Sequence, residues 1–330
     1  MAISILKTIL SFYVVKTHCL KRSTIENKIL LYILGKDRGI HVPSFFNMSF
    51  YFNYKCLISK DPERNRKRFE RLLIPYIFWP IIVFSINKFS GKYYKSFLEY
   101  PFKKIIIQII LGNGIINPLW FQCILLATSL VFLIIIYIFE NYYLFALQIL
   151  MILSYILQYS KYNQYFFENL TTNCQMSFGR EIMMIPFAVT GFHLAAFKII
   201  NKLKYYRFKS FIFSVITFIF VDNFNIFYNL DNYNGIKLNV LSIALIFIFS
   251  LLPVEKGQNN KLNICIEYIS KYTAGIYYLH TTVNLYFSHF FWFIRKGNIG
   301  SIIINYLISY SICHFGMLIF GKTKAKNLFS

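Results

Sequence analysis

The sequence predicts an all-α, polytopic integral membrane protein: about ten transmembrane helices in a single bundle, one domain over residues 1–330. Three observations carry this. Of 330 residues, 57% are hydrophobic, 20% are aromatic and only 15% are charged, where a soluble domain carries about 25% charged residues. The apolar residues form repeated runs close to the roughly 20 residues that cross a bilayer. The charges gather between those runs. Because the runs are continuous and do not alternate with polar residues, a β-barrel is a poor reading.

Taken in order, the runs predict helices over 3–20, 40–57, 72–87, 119–139, 142–159, 182–200, 208–220, 236–252, 264–287 and 299–320. The segment 102–111 is apolar but too short to span, and reads as an interfacial or re-entrant piece. Pro43, Pro75, Pro118 and Pro186 are expected near helix starts, where a missing N–H costs little. No soluble domain, linker, low-complexity tail or internal repeat is evident. The first run lacks a small-residue cleavage site and reads as a retained helix.

The formal charge of +22 would point to nucleic acid in a soluble protein. Here the bases lie in short loops, where anionic headgroups and helix anchoring account for them, so membrane lipids are the expected partner and nucleic acid is not. The stretch 60–71 holds six basic and three acidic side chains between two apolar runs. With a cytoplasmic N-terminus, this loop, the basic stretch 198–209 and the C-terminal KTKAK all fall inside, and the loop with Asp222 and Asp231 falls outside. The stretches 21–38 and 88–104 carry five bases each on the other side, so the orientation rests on the densest loops. The six cysteines are scattered without a CxxC pair, which argues against a disulfide frame or a zinc site. No metal is expected.

Two constellations carry chemistry. Lys7 and His18 share the first helix, eleven residues apart, which is roughly 16 Å along the axis. Charged or titratable groups in a membrane helix are costly unless they face a cavity or a partner. Both can instead snorkel to opposite interfaces, yet imidazole is also the usual general base near neutral pH. Arg68 and Arg71 lie three apart on one helix face, so two forked donors can converge on one phosphate-rich group. The competing reading is a positive anchor for the helix that follows.

The order VVKTHC (14–19), HVPSFFNMSFYF (41–52), RFERLLIPYIFW (68–79), PLWF (118–121) and GIYYLH (275–280) resembles the membrane acyltransferase 3 family, over nearly the whole chain. That resemblance implies a ten-helix O-acyltransferase of the cell membrane, moving an acyl group, most often acetyl, from acyl-CoA to a hydroxyl of a surface polysaccharide or its lipid-linked precursor. Matched by position, it implies His18 as the catalytic residue, as general base or acyl-carrying nucleophile. Arg68 and Arg71 become the donor-binding pair. Lys7 joins the donor-binding set, standing where relatives have Arg and keeping the charge but losing the bidentate fork. Phe50 stands where relatives often have Gly, beside Ser49. His41, Ser49, Tyr76, Trp120, Tyr277 and His280 are the expected cavity residues. His193, His289 and His314 have no motif context and read as structural. The acyl donor is a substrate, and no tightly bound cofactor is expected. The alternative is a glycan transporter or flippase without acyl transfer, which would more often show two matched halves.

Overall fold

The computed structural model describes residues 2–20, 39–90, 119–159, 172–223, 235–252, 261–290 and 298–329. Among them there is no strand. The helices are α1 (Ala2–Cys19), α2 (His41–Ile58), α3 (Pro62–Ser90), α4 (Leu119–Phe139), α5 (Tyr143–Tyr159), α6 (Thr172–Ala196), α7 (Ile199–Tyr205), α8 (Arg207–Asn223), α9 (Gly235–Leu251), α10 (Lys261–Ser270), α11 (Thr273–Phe290) and α12 (Ile299–Phe320). The expected piece at 102–111, Pro118 and Asp231 lie outside the described residues.

Contacts across neighbouring helices fix their directions. The Lys7 ammonium lies 5.1 Å from the Phe52 ring centroid, so the start of α1 meets the end of α2. Arg68 donates to Ser129 Oγ at 2.7 Å and Gln122 to the Leu72 carbonyl at 2.6 Å, which runs α3 against α4. The Arg207 Nε donates to the Leu251 carbonyl at 2.7 Å, and Lys237 to that of Asp222 at 3.3 Å, which runs α8 against α9. Within each of these three pairs the helices run antiparallel, as in a multi-pass bundle. By length and composition, two described segments are apolar and long enough to cross a membrane, 120–159 and 299–320, or up to three with the bent α6–α7 pair. α9 is apolar but shorter, at 17 residues, and helices such as α1 and α2 carry buried polar groups, Lys16 and Asn47, that lower their hydropathy. Outward-facing Phe213 and Ile319, each 71% exposed, make the apolar surface that belongs in lipid. The protein is an all-α membrane protein.

Several boundaries differ from expectation. α3 starts ten residues early, at Pro62, because Asp61 Oδ1 accepts from the backbone N–H of Glu63 (3.0 Å) and Arg64 (3.3 Å), and a Pro follows that cap in the first turn. The charged stretch thus opens as two mostly exposed helical turns ahead of the buried Arg68, laced by Glu63–Arg66 and Glu63–Lys67 ion pairs at 3.0 and 3.2 Å. Hydrogen bonds from Arg66 and Lys67 hold the Glu63 carboxyl below the usual carboxylate range. In consequence Pro75 falls inside α3, and Pro186 inside the lengthened α6.

The segment expected as one helix at 182–200 bends by 57° between α6 and α7, at Lys198, whose φ of 52° is left-handed. The helix expected at 264–287 is two, α10 and α11. Lys271 and Tyr272 N–H groups reach back only three residues. The Ser270 and Thr273 hydroxyls donate to the carbonyls of Glu267 and Ser270, competing with the helical ladder. Asp222, expected in a loop, is buried in the last turn of α8.

At the centre, Phe46, Phe50, Phe132, Phe187 and Phe192 are fully buried. Beside them runs a polar layer. Asn47 donates to Ser242 Oγ at 2.8 Å, and Asn239 donates to Tyr155 and Thr190 hydroxyls at 2.9 Å each. Here α2 and α6 touch backbone to backbone, since a Cβ on Gly191 would collide with the Asn47 carbonyl.

Candidate functional site

Three of the predicted residues meet near one end of the bundle. His18 is exposed at the last turn of α1, His41 is buried at the first turn of α2, and His280 is fully buried in α11. The His18 and His280 ring centroids are 5.0 Å apart, and His41 lies within electrostatic reach of His280. The His280 Nδ1 sits 2.7 Å from the Tyr277 carbonyl and 3.2 Å from that of Ile276. Both are acceptors, so Nδ1 carries the proton and Nε2 holds the lone pair. That Nε2 is buried and has no hydrogen-bond partner among the described residues. A second imidazole thus offers an unfilled acceptor beside His18.

Asn305, which the sequence reading missed, ties the frame together. Its amide donates to the His280 carbonyl at 3.0 Å and to Cys19 Sγ at 3.2 Å, and it accepts from Ser309 at 3.2 Å. Asn284 donates to the His18 carbonyl at 3.4 Å. One polar side chain of α12 therefore sets the spacing of the two histidine-bearing helices. A buried Asn within an apolar helix is the only signal that pointed to it.

Aromatic rings pack beside His280. Tyr277 lies 6.0 Å from His280, 5.1 Å from Phe121 and 6.4 Å from Phe45, centroid to centroid. Trp120 stands 6.3 Å from Phe121. Tyr76 is buried in the same core. Ser49 is partly buried on α2, and its carbonyl accepts from Asn53 at 2.7 Å. Phe50 occupies the space where a glycine would leave a gap: its ring is 4.6 Å from Phe132 and 5.4 Å from the Arg68 guanidinium.

The basic residues do not converge. Arg68 is buried, donates to Ser129 Oγ at 2.7 Å, and leaves Nη1 without a partner. No carboxylate pairs with it among the described residues. Arg71, one turn on, is exposed. Lys7 rests on Phe52, which is 49% exposed, whereas Phe50 is fully buried. Residues two apart in a helix differ by about 200° around the axis, so Lys7 and Arg68 stand at one level on opposite sides of α2. Nine residues separate His41 from Phe50, which puts the arginine roughly 13 Å along α2 from the histidines. Among the described residues, no group of His, Cys, Asp or Glu could hold a metal ion.

The bundle thus has a histidine pair from α1 and α11 near one end and, at the level of Phe50, a buried arginine from α3. The chain belongs to the acyltransferase 3 family: the family model described as an acyltransferase domain matches residues 2–321. No curated protein and no solved structure matches the chain. It is an acyltransferase of the membrane.

Proposed function

We propose that the protein transfers an acyl group, acetyl first among the candidates, from acyl-CoA to a hydroxyl of a cell-surface polysaccharide or its lipid-linked precursor. It would sit in the cytoplasmic membrane with the N-terminus inside. The observation that carries this is the separation of two chemistries along α2: imidazoles at the His41 end, and at the Phe50 level a buried guanidinium with an unpartnered Nη1 and no carboxylate among the described residues. An unneutralised buried cation is costly unless an anion completes it. A phosphate of the donor supplies that anion, and Arg68 meets it with forked, charge-assisted hydrogen bonds.

At the other end, His18 takes the proton of the acceptor hydroxyl as its oxygen attacks the thioester carbonyl. The C–S bond breaks, the ester forms, and the thiolate leaves to be protonated by the imidazolium. His280, held with Nδ1–H on a carbonyl, accepts a hydrogen bond through Nε2 from the hydroxyl or from His18 and fixes the geometry of the pair. A two-step route with acyl carried on His18 uses the same atoms. Arg71 and Lys7 add positive potential on the donor side.

The test is direct. Purified protein in nanodiscs is given labelled acetyl-CoA, and CoA release and acetylated glycan are followed by mass spectrometry. Acetyl transfer that depends on His18 supports the reading. Substrate movement across the bilayer without CoA release would replace it with a transporter.

A further inference from the structure

A cavity of about 460 Å³ opens beside the end of α1 remote from His18, between α1, α2, α7 and the end of α9, lined by Tyr51, Phe52, Asn201, Lys204, Arg207 and Ser250 among others. Among the described residues its walls carry two cations and no carboxylate. The Arg207 Nε is spent on the Leu251 carbonyl at 2.7 Å, which anchors the guanidinium and leaves its terminal amino groups for another acceptor. The Ser250 hydroxyl is buried with no hydrogen bond among the described residues. A site of this kind is short of one thing, an anion with several acceptor oxygens.

The surroundings say where that anion comes from. The 57° bend between α6 and α7 lays α7 beside the cavity. The stretch 198–209 has five bases and no acid. Tyr205, Tyr206 and Phe208 are 84%, 60% and 75% exposed. Exposed aromatics interleaved with bases mark the headgroup level of a bilayer. Ile3, Ile200 and Leu252 continue the cavity wall as apolar surface. The cavity is also separate from Arg68, because Phe52 and Phe50 are on opposite sides of α2.

We propose that this cavity binds the phosphate headgroup of an anionic phospholipid, with the phosphate held by Lys204, Arg207 and Ser250 and the acyl chains leaving over Phe52 and Ile3. The site does not depend on the acyl-transfer reading. A phosphate could also arrive free or on a soluble nucleotide, and the experiment separates these sources.

The full chain is placed in nanodiscs of equal phosphatidylglycerol and phosphatidylcholine, released, and examined by native mass spectrometry. The expected result is one retained phosphatidylglycerol, in excess over phosphatidylcholine. Lys204→Gln with Arg207→Gln should cut its retention about tenfold or more, the loss of charge-assisted hydrogen bonds. Lys322→Gln, an exposed base elsewhere, should leave it unchanged. Equal retention of the two lipids by the unaltered protein would overturn the proposal, whatever the variants do. So would full retention in the double variant, or displacement of the lipid by millimolar pyrophosphate, which would assign the cavity to a soluble phosphate.

Discussion

His18 and His280 come from helices 262 positions apart in the chain, yet their ring centroids lie 5.0 Å from each other. One is exposed at a helix end and the other is fully buried with its Nδ1 committed to a backbone carbonyl. The two imidazoles are thus unequal: His18 is exposed, and His280 presents a fixed lone pair. His18→Ala is expected to leave insertion and protein level intact, because an apolar residue at a membrane helix end costs little. Acyl transfer should fall by about 10²- to 10⁴-fold. Glycan mass spectrometry checks this, and full acylation would remove His18 from the mechanism.

His280 makes a sharper demand. His280→Phe keeps the ring volume and removes the acceptor, so transfer should drop about tenfold or more at unchanged donor affinity. His280→Gln, which restores an acceptor oxygen, should recover part of it. Equal activity of the two variants would make the residue a packing group only.

Asn305 is expected to matter without touching substrate. Asn305→Leu strands the Ser309 hydroxyl and frees the His280 carbonyl, costing about 1–3 kcal/mol of stability. The turnover rate should fall while the apparent acetyl-CoA constant holds. Thermal unfolding and steady-state kinetics read the two effects separately.

The arginines separate by burial. Arg68→Lys loses the bond to Ser129 and the fork, and should raise the apparent acetyl-CoA constant about tenfold or more. Arg71→Lys keeps an exposed charge and should move it no more than about fivefold. Titration of acetyl-CoA against each protein decides. Equal, small effects would return both residues to membrane anchoring.

Orientation has its own measurement. An impermeant thiol reagent applied to intact cells should miss Asn65→Cys and label Asn223→Cys. The reverse pattern would put Arg68 outside and require a donor other than cytosolic acyl-CoA.

Much of this was legible in the sequence. Continuous apolar runs fixed nearly all helices, because a membrane span must satisfy its backbone internally and so announces itself by length. The residue order also placed His18, His41 and His280 as candidates, and they assemble. The sequence could not show that Arg68 turns inward and Arg71 outward, since i,i+3 spacing gives only a shared face and the packing of Phe50 and Ser129 decides the rest. It missed the early start of α3, where Asp61-Pro62 is a helix beginning masked by charge density. It missed the break in α10–α11, where hydropathy is continuous and only hydroxyl side chains interrupt the ladder. Asn305 escaped because one Asn in an apolar run has no local partner to reveal it.

Gly191→Ala should be among the most damaging small changes, because the added methyl meets the Asn47 backbone and neither chain can step aside. A loss of about 1–3 kcal/mol or more is expected. Gly300→Ala, whose new Cβ would meet only the Asn298 side chain at 3.3 Å, should be tolerated. Thermal unfolding in detergent compares them.

That same contact limits how the molecule can work. With no side chain between them at Gly191 and Asn47, α2 and α6 have no slack at that crossing and must travel as a single spine. Any opening toward one side of the bilayer has to come from the helices that touch this spine through deformable side chains. His41 and Phe50 both ride on it. The interval from His41 to Phe50 therefore stays constant through a turnover cycle, a ruler against which Arg68 and the other walls move.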